Sequence, residues 1–208
     1  MQYLHDVNSL VVQGMGMNLR ERRRLQTARD IQMAAVTVAL RNGLDQTTTE
    51  AIAIEAGIST RTFFNYYNNK QAAILGEAIR LDIKGAGWFV ESSGPILDDL
   101  AKLLGQGLHE DPLDRALLLK IIAVVDANPT LHDMFRTQVD ETSSSISGLL
   151  ETRLGSDLAI ESRLLAELST RALTEAVVAW AADETMTVDS VTVQIAANLR
   201  SVSKIMCQ

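Results

Sequence analysis

Along this 208-residue chain the apolar residues recur at the intervals of three and four that mark helices. Between Leu25 and Arg41 they fall at Ile31, Ala35, Val38 and Ala39. This predicts a first helix stopped by Asn42-Gly43, where glycine can take the left-handed cap. Thr47 and Glu50 have the spacing of a capping box, and a short second helix follows over Ala51–Ala56, ending at Gly57. Ser59 is an N-cap for a third helix from Thr60 to about Tyr67. Asn69 can cap a fourth, which the pattern carries from about Gln71 towards Val90 until Ser92-Ser93-Gly94-Pro95 closes it.

Longer helices fill the remainder. A fifth is expected over about Ile96–Leu108. Asp111-Pro112 signals the start of a sixth, which carries Leu117, Ile121, Val124 and Val125 and ends at Asn128-Pro129. A seventh runs to Gly155, an eighth from about Ala159 to Ala182, and a ninth from about Val188 to Ile205. Residues 1–18 show no helical period and are read as a flexible tail. The fold class is therefore all-α, with about nine helices.

The segment from Thr47 to Lys70 is the one that carries chemistry. A helix-turn-helix needs a short helix, a tight glycine turn, and a second helix whose N-terminal face meets base edges. Ala56-Gly57-Ile58-Ser59 supplies such a turn. Phe63 and Tyr67 are four apart and share an inward face. That leaves Thr60, Arg61, Thr62, Asn65 and Tyr66 on or near the outer face. Arginine and asparagine suit bidentate base contacts, while threonine, tyrosine and lysine suit phosphates.

The string from Thr48 to Lys70 resembles the DNA-binding signature of TetR-type (TetR/AcrR) transcriptional regulators. Within it, Thr62-Phe63-Phe64-Asn65-Tyr66 resembles the version frequent among actinobacterial members, as do Asn128-Pro129, Arg153-Leu154-Gly155 and Glu175 to Trp180 further on. The resemblance implies phosphate contacts from the positions of Thr48, Phe64 and Lys70, and base contacts from Thr60, Arg61 and Asn65. It also implies a three-helix DNA-binding head over residues 19–69 and a helical ligand-binding and dimerisation domain over 70–208. Where the family usually has Tyr this chain has Phe64, where it has Phe this chain has Tyr67, and where it has Pro-Ser this chain has Asn68-Asn69.

Charge sharpens this picture. The net charge of −7 argues against nucleic acid until its distribution is considered. The first 84 residues carry ten Lys/Arg against eight Asp/Glu, and the remainder nine against eighteen. Arg22, Arg23 and Arg24, with Arg20, form a basic run just before the head, suited to a phosphate or minor-groove arm. Aromatics are 4% of the chain, and Trp88, Phe89, Met134 and Trp180 are the candidates to line an effector pocket. Leu165, Leu168, Ala172, Val191, Ile195 and Leu199 lie at helical spacing on the last two helices and are the candidate dimerisation face.

Other chemistries find no footing. His109-Glu110-Asp111 and His132-Asp133 lack metal-ligand spacing, and no phosphate-cradling glycine loop or nucleophile elbow is present, so neither cofactor nor catalysis is expected. No apolar run is long enough to span a bilayer. The expectation is a cytoplasmic homodimer that binds an inverted-repeat operator and is released by a small hydrophobic ligand. The alternative is a helical lipid- or acyl-chain-binding protein with a vestigial head.

Overall fold

The computed structural model describes residues 19–76, 85–110 and 114–207, and all regular structure among them is helical. Helix α1 spans Leu19–Asn42, α2 Thr49–Glu55, α3 Thr60–Phe64 and α4 Lys70–Leu75. Beyond them come α5 (Gly87–Glu91), α6 (Ile96–Glu110), α7 (Arg115–Asp126), α8 (Pro129–Leu154), a 3-10 turn (Ser156–Leu158), α9 (Ala159–Ala182) and α10 (Val188–Met206). No described helix is long and apolar enough to cross a membrane. The expected tail, residues 1–18, lies outside the described residues.

Several boundaries depart from the expected ones. Helix α1 begins at Leu19, so Arg22, Arg23 and Arg24 sit on exposed helical turns and not on an extended arm. The capping box does not form. Thr48 is the N-cap of α2, its hydroxyl accepting from Ala51 N at 3.1 Å, while Thr47 is buried and donates to Gly43 O. The continuous helix expected from Gln71 to Val90 is broken at Gly76, whose φ of 73° no α-helix accommodates. Apolar periodicity carried the expectation across that glycine. Helix α7 starts under Asp114, which accepts from Leu117 N at 3.0 Å. Asp111 and Pro112 lie outside the described residues.

Two apolar cores organise these helices. In the first, Ile31, Ala35 and Val36 of α1 meet Ile52 of α2, Phe63 of α3, and Ala73 and Ile74 of α4, all fully buried or nearly so. This core does not stop at the head. Leu117, Val124 and Val125 of α7 and Leu131 of α8 belong to it. The second core joins Phe89 of α5, Leu100 and Leu104 of α6, Ile146 and Leu150 of α8, Leu173 and Trp180 of α9, and Ile195 of α10. Small residues allow the helices to approach closely. Gly105 of α6 lies so near α10 that a Cβ there would fall 2.1 Å from Thr192 Oγ1. Ser169 and Thr170 are buried on α9 and donate back to Leu165 O and Ala166 O, which satisfies their hydroxyls within the helix.

Two arginines tie the second body together. Arg115 at the start of α7 donates to Trp180 O, Asp183 O and Met186 O and lies over the Trp180 ring, pinning the turn between α9 and α10. Arg153 at the end of α8 donates from Nη2 to Asp99 Oδ2 and Gly94 O, both at 2.8 Å, with its guanidinium over Phe89. Ser92 donates to the same Asp99 oxygen at 2.7 Å. That hydroxyl first, and then the Arg153 guanidinium, hold the Asp99 carboxyl below the ordinary carboxylate range, against the opposing effect of burial.

A carboxyl whose pKa is lower folded than unfolded stabilises the fold above its unfolded pKa, and that contribution is lost as pH falls through the folded value. Asp99→Asn should therefore cost about 2 kcal/mol in urea unfolding at pH 7. The difference from the wild type should shrink as the pH is taken below about 4. Equal stability of the two proteins at pH 7 would contradict the lock.

Candidate nucleic-acid interface

The recognition face is set from within. Phe63 is fully buried, packed edge-on against Phe64 at 5.4 Å and tilted against Tyr67 at 6.3 Å. Tyr67 is buried and its hydroxyl donates to Ala28 O of α1 at 3.1 Å. With these rings inward, the 100° step of the helix turns the opposite side of α3 outward. Arg61 and Asn65 are exposed there, Phe64 is exposed beside them, and Thr60, Thr62 and Tyr66 are half-buried.

The two ends of α3 follow from its caps. Ser59 accepts from Thr62 N at 3.0 Å, and its hydroxyl lies 2.8 Å from Thr62 Oγ1, so Thr62's side chain is engaged in the cap. The α-helix proper ends at Phe64, with Asn65 as its C-cap. It is shorter than the expected run to Tyr67: the N–H groups of Asn65 and Tyr66 bond the carbonyls three residues back, Thr62 O and Phe63 O, and tighten the chain out of the α-helix. Gly57, at φ 67°, makes the turn between α2 and α3. Asn69 caps α4 as expected, accepting from Ala72 N at 2.7 Å.

Around α3, exposed Thr48 stands at the start of α2, and exposed Arg22, Arg23 and Arg24 stand at the start of α1. Lys70 is placed differently. Its ammonium donates to Leu44 O at 2.7 Å and Thr47 O at 2.8 Å, with Asp45 O at 3.4 Å. It therefore holds the loop between α1 and α2 against the start of α4. A lysine at the end of a DNA-binding signature carries the same letter whether its amine points to phosphate or to carbonyls, so the pattern alone could not separate the two. Arg41 and Glu55 pair at 3.0 Å across α1 and α2 at the surface.

The other candidate sites do not assemble as expected. Phe89 and Trp180 are plain core of the second body, and Trp88 packs at its edge, donating to Gln106 Oε1 at 3.2 Å with Lys102 Nζ 4.5 Å over its ring. Met134 packs instead on the first core, so the four expected pocket residues do not meet. Ala172, Val191, Ile195 and Leu199 are buried in their own chain's core, and Leu165 and Leu168 pack against it. A helical apolar stripe marks a buried face, and here the covering surface is intramolecular. The large outward apolar residues of α9 and α10 are Ile160, Leu164, Val178, Val193, Ile205 and Met206.

These features define a helix-turn-helix head of the DNA-binding class. Residues 31–75 match the family described as bacterial regulatory proteins, tetR family, so this segment carries a tetR-family N-terminal domain. A head of this family supports a DNA-binding transcriptional regulator as the role of the chain. No curated protein matches the chain. Among solved structures it is similar to a protein from Mesorhizobium loti assigned to the TetR-family transcriptional regulators. That pair shares 17% identity over 88% of this chain and 98% of that one, with a TM-score of 0.47. It is also similar to the multidrug binding protein EbrR complexed with imidazole, with 15% identity over 82% and 93% and a TM-score of 0.48. For Salmonella enterica GusR the values are 21% identity over 86% and 93%, with a TM-score of 0.48.

The placement of Lys70 separates two roles by measurement. Lys70→Met should lower stability by about 2 kcal/mol, the scale of hydrogen bonds to a charged group. The slope of log affinity against log salt on duplex DNA should stay at the wild-type value. A slope reduced by about one, with stability unchanged, would instead make Lys70 a phosphate contact.

Proposed function

We propose that this chain is a transcriptional repressor of the actinobacterial-like TetR subgroup that binds an inverted-repeat operator as a cytoplasmic homodimer. The observation that carries the reading is the outward pair Arg61 and Asn65 on a helix locked by buried Phe63. In this reading Thr60, Arg61 and Asn65 read base edges in the major groove. Thr48, Tyr66 and the arginines at the start of α1 hold the phosphate backbone and register. The head spans residues 19–69, and the acidic remainder, 70–208, is held away from the duplex while the basic front is drawn to it.

A single short helix reads few base pairs, so specificity requires two heads. Ile160, Leu164, Arg171, Val178 and Ala182 fall on one face of α9 at steps of four, seven, seven and four. That spacing is symmetric about Arg171, so an antiparallel second copy places Leu164 opposite Val178, as an isologous contact requires. A small hydrophobic effector bound within the body would favour a spacing of the heads that no longer matches the operator. Mispositioned heads lose base contacts at about 1–3 kcal/mol each, enough for release.

Two substitutions test the reading. On duplexes enriched from a random library, Arg61→Ala should cost about 1–3 kcal/mol and relax sequence preference at its base position. Unchanged affinity and preference would contradict the assignment of α3. Leu164→Asp should convert a sedimenting species of twice the chain mass to one of the chain mass. Retention of the dimer would remove α9 from the interface.

A further inference from the structure

The last carbonyls of a helix have no donors within it and must find them elsewhere. At the end of α4, side-chain amides take two such carbonyls from opposite sides. Gln32 Nε2 of α1 donates to Ile74 O at 3.2 Å, and Gln138 Nε2 of α8 donates to Gly76 O at 3.0 Å. Gly76 lies between them at φ 73°, ψ −167°, a region essentially reserved for glycine. A Cβ at this position would fall 2.3 Å from Gln32 Nε2. The amide could swing aside, but only by leaving Ile74 O.

The two donors come from different bodies. Gln32 belongs to the head helix. Gln138 sits midway along α8, which starts in the head core at Leu131 and continues into the second core at Ile146 and Leu150. Among the described residues, head and body also meet through the apolar face of α7 and through Leu131, Met134 and Phe135 of α8, with Lys120 Nζ of α7 donating to Met33 Sδ of α1 at 3.5 Å. Apolar contact is non-directional. Hydrogen bonds are directional, weakening steeply off line. The two amides therefore restrict an angle that the apolar contact leaves open.

The geometry points to Gln138 and Gln32 as positioning residues that set the angle of the head, and so the separation of two heads on DNA, by gripping the end of α4 around Gly76. This rests on the operator-binding reading above. Any displacement of α8 by an effector in the body would reach the head through Gln138.

The test uses the full-length wild type and the variants Gln138→Met, Gln32→Met and Gly76→Ala. Methionine keeps the length of glutamine without its donor. Each protein selects duplexes from a random library, and half-site sequence and half-site separation are read independently, with thermal unfolding alongside. The expected result is one half-site sequence for all four proteins. In the variants the affinity ratio between the preferred separation and the next should fall about fivefold, the scale of one lost net hydrogen bond. If the wild type enriches an inverted repeat and all three variants keep its separation ratio, the positioning role is overturned and the operator reading stands. Affinity that falls in parallel with the melting midpoint, at an unchanged ratio, marks a merely structural role and also overturns it. A wild type that enriches no repeat overturns the operator reading itself.

Discussion

The burial of one aromatic ring governs the functional surface. Phe63 is fully enclosed by α1, α2 and α4, and removing such a ring from water stabilises the fold by about 2–3 kcal/mol. A five-residue helix has little stability of its own, so its orientation comes from what it buries. With Phe63 and Tyr67 inward, rotating α3 by one residue, about 100°, would turn both rings out of the core, which costs more than so short a helix could gain. The outward position of Arg61 and Asn65 is thus a consequence of packing two positions away from each.

The same economy holds between the parts. The head is not an independent bead on a string, since α7 and the start of α8 complete its core. Polar side chains finish what apolar contact leaves undirected. Lys70 holds the loop before α2, Arg115 holds the turn after α9, Arg153 holds the loop before α6, and two glutamines hold the end of α4. Each of these donors ends on backbone carbonyls at a helix end or in a loop.

Much of the head was legible because local chemistry and long-range packing agree there. Gly43 and Gly57 stop helices at positive φ, Ser59 and Asn69 cap the helices that follow, and Phe63 and Tyr67 share the inward face their spacing predicts. The misplaced features share one cause. Apolar periodicity reports that a face is buried but not what buries it, so Val191, Ile195 and Leu199 read as a dimer surface while they fill their own core. Periodicity also ran through Gly76, because a single glycine leaves the apolar spacing intact while the backbone turns away. The contacts of Lys70, Arg115 and Gln138 span 23 to 71 residues along the chain. No local pattern records such partners.

The central claim is that the outer face of α3 is where this chain meets DNA, and hydrogen–deuterium exchange tests it most directly. The amides of Thr60 and Arg61 lie in the first turn of α3, where no intrahelical acceptor protects them, so they exchange quickly in the free chain. On addition of a duplex enriched by the chain itself, exchange should slow in peptides covering residues 59–66, with lesser slowing around Thr48 and the start of α1. A bound duplex that leaves 59–66 unchanged and slows exchange only in α9 or α10 would contradict the account.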